Sequence, residues 1–541
     1  MKPVIDFLKG QSNLPLPRLA LMAAVAGGCT IVVLSTLNSG AVNASKGDAL
    51  GWLFVLFAAA AAAQIYSQRY LHITALTEVE KSLHTYRMRQ VERVRRCNLD
   101  ALEEIGPARI FGALTRQTQT LATTAPAILA GAQSAISVVF ALAYLAWLDV
   151  AALFLTVAIV GLGFLVYMFR LRRARATLAE VNGQENELFD SVTDLIEGFK
   201  EVRLNAARSA DLAVFIAEIS RRTCEMRTDV DVKLLEVYLF GQLIFLAAGG
   251  ALVFLLPGFG LTQPEELLKT LTVILFLFGP IGSMTAASSA VANAQAACEV
   301  MLDLERRLHQ AVQRSGSGTA PGQPSDFAEI ELRQVVYTHA QAGGFMVGPI
   351  DLTLRRGDVL FISGGNGSGK STLLRLLTAL YLPQQGQLLV DGRVVDGDRR
   401  EACQNLYSTV FSDFHLFRRL FGLGDVAPDQ ILEWLTTMEI EKKTGMHDGR
   451  FDTIKLSTGQ RKRLALVVAA LEDRPIYVFD EFAADQDPAF RRKFYDEILP
   501  ALRARGKTVV AVTHDDRYFD RATRHLVMED GRLTEYGASD D

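Results

Sequence analysis

Gly364 to Ser371 reads GGNGSGKS. The octapeptide fits the pattern G-x-x-x-x-G-K-[ST], and its setting matters as much as its letters. An apolar stretch with strand character, Val359–Ser363, precedes it, and a stretch with helical spacing, Thr372–Leu380, follows it. A strand–loop–helix context is what this motif requires to bind phosphate. Its glycines let successive backbone N–H groups turn into one concavity that collects phosphate oxygens, and the helix N-terminus adds its dipole. The candidate phosphate-binding set is therefore Gly364, Gly365, Asn366, Gly367, Ser368, Gly369, Lys370, Ser371 and Thr372. Lys370 would reach the outer phosphates of a nucleotide, and Ser371 would offer its hydroxyl to Mg²⁺.

Outward from this loop, short apolar strands are predicted at Ile330–Tyr337, Ile476–Phe479 and Thr508–Val512, with helical segments between them. That is an α/β pattern with a largely parallel core. Ile476–Phe479 ends in two acids. Asp480 is placed to hold Mg²⁺, and Glu481 to orient and polarise an attacking water as general base. His514, just beyond Thr508–Val512, is a candidate for the γ-phosphate. Between these motifs lies LSTGQ, Leu456–Gln460, ahead of a helix expected at Arg461–Leu471. Ser457, Gly459 and Gln460 at that helix start form a second anion site. Carried on a helical subdomain, it would cap the nucleotide of a second copy of the chain rather than its own.

Up to about Ala290 the chain is of another kind. Half of the 541 residues are hydrophobic and the mean hydropathy is +0.19, an average over two unlike halves. A membrane-spanning helix needs about 20 mostly apolar residues. Six runs qualify: Leu19–Leu37, Leu50–Tyr66, Ala125–Leu148, Val150–Phe169, Leu234–Leu256 and Leu271–Ser289. Backbone groups in lipid must be satisfied within the segment, so each is expected to be a helix. The first run reads as a span rather than a signal peptide, being too long and too far from the start.

Basic residues crowd two of the connections. One holds Arg87, Arg89, Arg93, Arg95 and Arg96 among others, and the second holds Arg170, Arg172, Arg173, Arg175, Arg221 and Arg222 among others. In the other three connections Lys46 and Lys269 are the only basic residues. The excess of basic residues places the two long loops and both termini in the cytoplasm. Both loops keep helical spacing, so the flanking spans are expected to run on as helices far beyond the bilayer. Glu103–Thr115 (EEIGPARIFGALT) and Asp190–Asn205 are where each loop turns and where a soluble domain could touch.

Ser315–Ser325 (SGSGTAPGQPS) has the composition of a flexible linker. The expected organisation is a six-helix transmembrane domain at 1–310, a linker at 311–328 and a nucleotide-binding domain at 329–541. The net charge of −4 argues for no polyanionic partner, so no nucleic acid is expected. The five cysteines are scattered without CxxC spacing, which argues against a metal site.

In their order and spacing the motifs resemble the ATP-binding-cassette (ABC) family, and LSTGQ is close to that family's LSGGQ signature. The six spans and long inner loops resemble its type-IV exporter half-transporters. The resemblance implies a multi-pass α-helical domain fused to an α/β P-loop ATPase with a helical subdomain, using ATP and Mg²⁺. It implies that Gly364–Ser371 is the Walker A loop, Asp480 ends Walker B, Glu481 is the catalytic carboxylate, His514 is the switch histidine and Asp487 is the D-loop aspartate. It puts the adenine-stacking ring at about His339, with Tyr337 as the neighbouring candidate. Two departures stand out. Ser412 occupies the place of the usual Q-loop glutamine and is followed by Asp413, so the link from Mg²⁺ to the membrane loops would run through Asp413 or a water. The usual SALD is ADQD here, Ala484–Asp487.

FSDFHLF (Phe411–Phe417), DEFAADQDPAFR (Asp480–Arg491) and EGFKEVRLN (Glu197–Asn205) are similar to bacterial cyclic-peptide and siderophore-peptide exporters. The expectation is a homodimeric peptide exporter in the bacterial inner membrane. A lipid or drug flippase of the same architecture and an ATP-gated channel or regulator are the alternatives. A soluble cassette protein of translation or DNA repair is excluded by the six spans.

Overall fold

The computed structural model describes residues 16–46, 51–255, 264–315, 326–339 and 344–536. It divides into two compact units, Met1–Arg87 with Gly112–Leu302, and Met88–Phe111 with Asp303–Asp541.

The first unit is built of long helices, Leu16–Lys46, Gly51–Arg96, Thr118–Leu148, Val150–Glu197, Ala206–Gly250 and Pro264–Ser315, the last running on into the second unit. Among the described residues, four helical stretches are long and apolar enough to cross a membrane: Pro17–Ala44, Gly51–Arg96, Pro107–Leu148 and Glu266–Gln313. The runs expected to be the fourth and fifth spans appear, among the described residues, as the shorter apolar stretches Val150–Gly163 and Leu239–Phe254. Each is one end of a helix of 48 or 45 residues whose remainder is charged. Leu256, the expected end of the fifth span, and residues 316–325 of the expected linker lie outside the described residues, while residues 311–315, expected to open the linker, still belong to the helix Pro264–Ser315. At 1.5 Å per residue, the 48-residue helix is about 70 Å long against a hydrocarbon layer of about 30 Å. The continuation of these helices past the bilayer is thus a matter of length.

Local chemistry sets the breaks. Asp149 caps the helix Val150–Glu197 by accepting from the amides of Ala151 at 2.8 Å and Ala152 at 3.1 Å. Asn205 does the same for Arg208 at 3.0 Å, after the short helix Phe199–Arg203. Small residues then allow the helices to close on one another. A β-carbon on Gly131 would fall 2.1 Å from the Ala287 β-carbon, and one on Gly163 would fall 2.3 Å from Ile244. Gln133 and Ser137 are buried. Large apolar side chains such as Phe54, Trp147 and Phe254 point outward, as a lipid-facing surface requires.

The second unit carries twelve described strands: β1 (Glu329–Thr338), β2 (Met346–Arg355), β3 (Val359–Ser363), β4 (Gln385–Val390), β5 (Arg393–Val394), β6 (Tyr407–Val410), β7 (Met446–His447), β8 (Arg450–Phe451), β9 (Ile476–Asp480), β10 (Thr508–Val512), β11 (Arg524–Glu529) and β12 (Arg532–Glu535). Six form one sheet in the order β12-β11-β3-β10-β9-β6. Every pairing in it is parallel except β11 with β12. β9 and β10 are buried along their whole length, as strands covered on both faces must be. A second, antiparallel sheet in the order β2-β1-β4-β5 was not expected from the sequence beyond β1. Both predicted helix starts also shift. The helix after the phosphate loop spans Lys370–Leu377, and the one in LSTGQ begins at Thr458, inside the motif.

Candidate functional site

β3, β10, β9 and β6 lie side by side and parallel, so their carboxyl ends share one edge, which is where open α/β sheets bind ligands. The phosphate loop follows β3, His514 follows β10, Asp480 and Glu481 sit at the end of β9, and Ser412 lies just beyond β6.

The loop is shaped for phosphate. Gly364 has φ 145°, and a β-carbon there would fall 2.1 Å from the carbonyl oxygen of Met528, so only glycine fits. Lys370 is buried, and its Nζ donates to the carbonyls of Gly364 at 2.8 Å and Gly365 at 2.7 Å. Burial holds this ammonium below the usual lysine range, with Glu481 and Asp480 pulling the other way. A triphosphate would supply stronger acceptors than two carbonyls. The Ser368 hydroxyl is buried with no hydrogen-bond partner among the described residues, one more donor left for a ligand. Ser371 Oγ lies 3.4 Å from Asp480 Oδ2, an oxygen pair suited to a hard cation. Bound there, Mg²⁺ would neutralise charge on the outer phosphates.

Ser412 donates from its hydroxyl at 2.9 Å and its amide at 3.4 Å to Asp480 Oδ2. Asp413 turns the other way, its Oδ2 3.3 Å from Arg375 Nη2. Arg375 Nη1 stands 3.4 Å from Glu103 Oε1 and donates at 2.8 Å to the Tyr381 hydroxyl, which donates at 2.6 Å to Glu103 Oε2. Burial, then the bond to Glu103, push the Tyr381 phenol up, so it stays a donor. Hydrogen-bonded side chains thus join Asp413, Arg375 and Tyr381 to Glu103 in the connection between the helices Gly51–Arg96 and Thr118–Leu148, and the backbone of Ser412 and Asp413 joins this cluster to the Asp480 carboxylate.

Tyr337 is buried and stacked on Tyr381, centroids 4.7 Å apart and planes 7° from parallel. His339 is the more open of the two candidate rings, and its Nε2 lies 3.0 Å from Thr372 Oγ1 at the start of the phosphate-loop helix. Glu481, with φ 51°, carries its carboxylate 3.3 Å from His514 Nε2. Ser457 is the N-cap of Thr458–Glu472, reciprocally bonded with Gln460 in a capping box. Asp487 caps the helix Pro488–Lys493. Its carboxyl is held below the usual range by the Phe490 amide first and by Arg463 as well. Reading motifs did not single out Arg375, Tyr381, Lys462 or Arg463. The last two belong to the basic run Arg461–Arg463 that follows LSTGQ, which was the signal available.

A sequence profile described as "ABC transporter" matches residues 347–484. The ATP-binding protein SyrD of Pseudomonas syringae pv. syringae is 34% identical over 449 residues, 80% of this chain and 79% of that protein. The chain belongs to the ABC transporter family. An ATP-dependent lipid A-core flippase of Burkholderia orbicola (strain AU 1054) is 26% identical over 76% of this chain and 70% of its own length. The solved structure of a bacterial Atm1-family ABC exporter with ATP bound aligns over 97% of this chain and 95% of its own, with a TM-score of 0.75 at 18% identity, and so shares the fold. This ABC exporter is a half-transporter of the type-IV class, and its ATPase is coupled to transport. A half-transporter architecture implies a dimer in a membrane.

Proposed function

We propose that the chain is a homodimeric exporter of a peptide, of cyclic-peptide, siderophore or peptide-antibiotic type, across the bacterial inner membrane. It would have six spans per chain, with both termini and the ATPase in the cytoplasm. The observation that carries the ATPase reading is the alignment of four functional groups on one sheet edge: the phosphate loop, the Ser371–Asp480 oxygen pair, Glu481 and His514. Glu481 would accept the proton of the attacking water and His514 would bond the γ-phosphate, while Lys370 and the loop amides hold the departing charge. His339 would stack on adenine. Ser457, Gly459, Gln460 and Asp487 would face the nucleotide of the second copy, so each pocket closes only when two chains meet. Closure and release would switch the membrane helices between inward and outward access.

The peptide reading is supported by the three segments FSDFHLF, DEFAADQDPAFR and EGFKEVRLN. A lipid flippase is the second reading. It is favoured by the lipid A-core flippase relatives and by an almost wholly apolar cavity of about 460 Å³ among Val138, Leu142, Val157, Leu277, Ile281 and Met284.

Inverted vesicles carrying the full chain test both. ATP- and Mg²⁺-dependent uptake of a cyclic peptide, with peptide-stimulated ATPase, is the expected result. Lipid translocation with no response to peptide would replace the first reading by the second. Glu481→Gln should retain bound ATP and lose turnover, and undiminished multiple-turnover ATPase in that variant would refute its role as base.

A further inference from the structure

Lys462 and Arg463 follow the LSTGQ pentapeptide on the helix Thr458–Glu472, and both are buried, with 4% and 9% of their surface exposed. A charge on a helix surface needs no partner, whereas a buried one must be paired and hydrogen-bonded. The Nζ of Lys462 donates to the backbone carbonyl of Glu481 at 2.7 Å and lies 2.7 Å from Asp485 Oδ2. Arg463 Nε donates to Gln486 Oε1 at 2.9 Å. Its guanidinium bonds the Asp487 carboxylate and lies 3.6 Å over the Phe490 ring. Gln486 Nε2 returns a bond at 3.1 Å to the carbonyl of Gly459, where a β-carbon would fall 2.5 Å from the Asp485 carbonyl oxygen. The helix that opens at Ser457 and the segment Glu481–Asp487 are therefore latched together by side chains from both, with no room for a larger residue at Gly459.

Glu481 needs such a latch. Its left-handed backbone is costly for a residue with a side chain and persists only where the surroundings over-determine it. Its amide is bonded to the Val512 carbonyl at 3.1 Å. Its own carbonyl accepts from the Ala484 amide at 3.4 Å and from Lys462. Of these, the Lys462 bond alone comes from the signature helix. We propose that Lys462 is a positioning residue for Glu481. It fixes the backbone that aims the carboxylate and ties it to the helix whose N-terminus faces the second nucleotide, and Asp485 keeps the lysine seated. The proposal rests on the reading of Glu481 as the base and of Ser457 as the cap of the other copy's nucleotide.

The test is steady-state ATPase of the full chain in vesicles. Lys462→Met should lower kcat about tenfold or more, the order of loss expected when a catalytic group is displaced without being removed. The KM for ATP should stay within about twofold, because the phosphate loop is untouched. Lys462→Gln combined with Asp485→Asn should restore most of kcat, since the amide still donates to the carbonyl and no carboxylate is stranded. A merely structural lysine would move kcat, KM and thermal stability together and would not be rescued by the neutral pair. Wild-type kcat in Lys462→Met overturns the proposal. If Lys462→Met does not reach the membrane, Lys462→Gln alone carries the test: its kcat should fall and Asp485→Asn should relieve the fall, and the absence of relief overturns the proposal. Glu481→Gln, assayed beside these, separates the failures. Turnover retained there sinks the reading of the base, while turnover lost there but kept in Lys462→Met sinks only the latch.

Discussion

At Gly364 the backbone torsion and the space around the residue make the same demand. The φ of 145° excludes ordinary side chains, and the Met528 carbonyl occupies the volume a β-carbon would need. Gly364→Ala is expected to force the loop open and weaken ATP binding at least tenfold, with a lower melting temperature for the ATP-free protein, both measurable by nucleotide titration and thermal unfolding. Native affinity in that variant would contradict the description of the cradle. The neighbouring Lys370 was readable from the motif, because chemistry and spacing coincide in eight consecutive letters. Ser412 and Asp413 were not readable in the same way. The sequence marked them as a departure, but only packing divides their labour, Ser412 toward Asp480 and Asp413 toward Arg375.

Among the elements, legibility followed periodicity. The buried strands β3, β9 and β10 are continuous apolar runs and were found within a residue of their ends. The antiparallel sheet was missed because β2 contains Gly348 and Pro349, which break the alternating pattern, and because β5 has only two residues. The signature helix starts early because Ser457 caps it through Gln460, so two residues assigned to ligand binding also hold the helix end. In the membrane unit the apolar runs were plain, but the pairing of helices depends on where small residues meet. Gly131 meets Ala287, whereas Gly161 has nothing within 4 Å of its would-be β-carbon. Gly131→Val should therefore destabilise the protein in detergent by about 1–3 kcal/mol, the cost of overpacking a close contact. Gly161→Val should cost well under 1 kcal/mol in the same melts. Equal losses at the two sites would mean that the helices do not close at Gly131.

Across the whole molecule, the transport step needs a mechanical link, and its most specific trace is a contact between residues 272 positions apart, Glu103 and Arg375. No spacing rule could have paired them. The sequence offered EEIGPARIFGALT and Asp190–Asn205 as places where a soluble domain could touch, without naming a partner residue for either. The contact gains meaning from what lies behind it. Arg375 sits on the helix that begins at Lys370, and Asp413 adjoins the serine that bonds Asp480. Tyr381 stacks on Tyr337, whose ring meets that of His339 edge-on with centroids 5.1 Å apart. Glu103 therefore touches Arg375, which reaches the residue after Ser412, and Tyr381, which stacks on Tyr337. The chain leads from Glu103 back into the helix Gly51–Arg96 and on into Thr118–Leu148, both of which carry apolar membrane segments. Replacing Glu103 by Gln keeps an acceptor for Tyr381 and removes the charge that holds Arg375, a change worth about 1 kcal/mol or somewhat more for a partly exposed charged hydrogen bond. The ATPase groups are untouched, so basal hydrolysis should persist, while molecules transported per ATP should fall about fivefold. Parallel measurement of uptake and phosphate release in the same vesicles reads this ratio directly. A proportional loss of both would place Glu103 in folding rather than in coupling, and an unchanged ratio would move the link to another part of the inner loops.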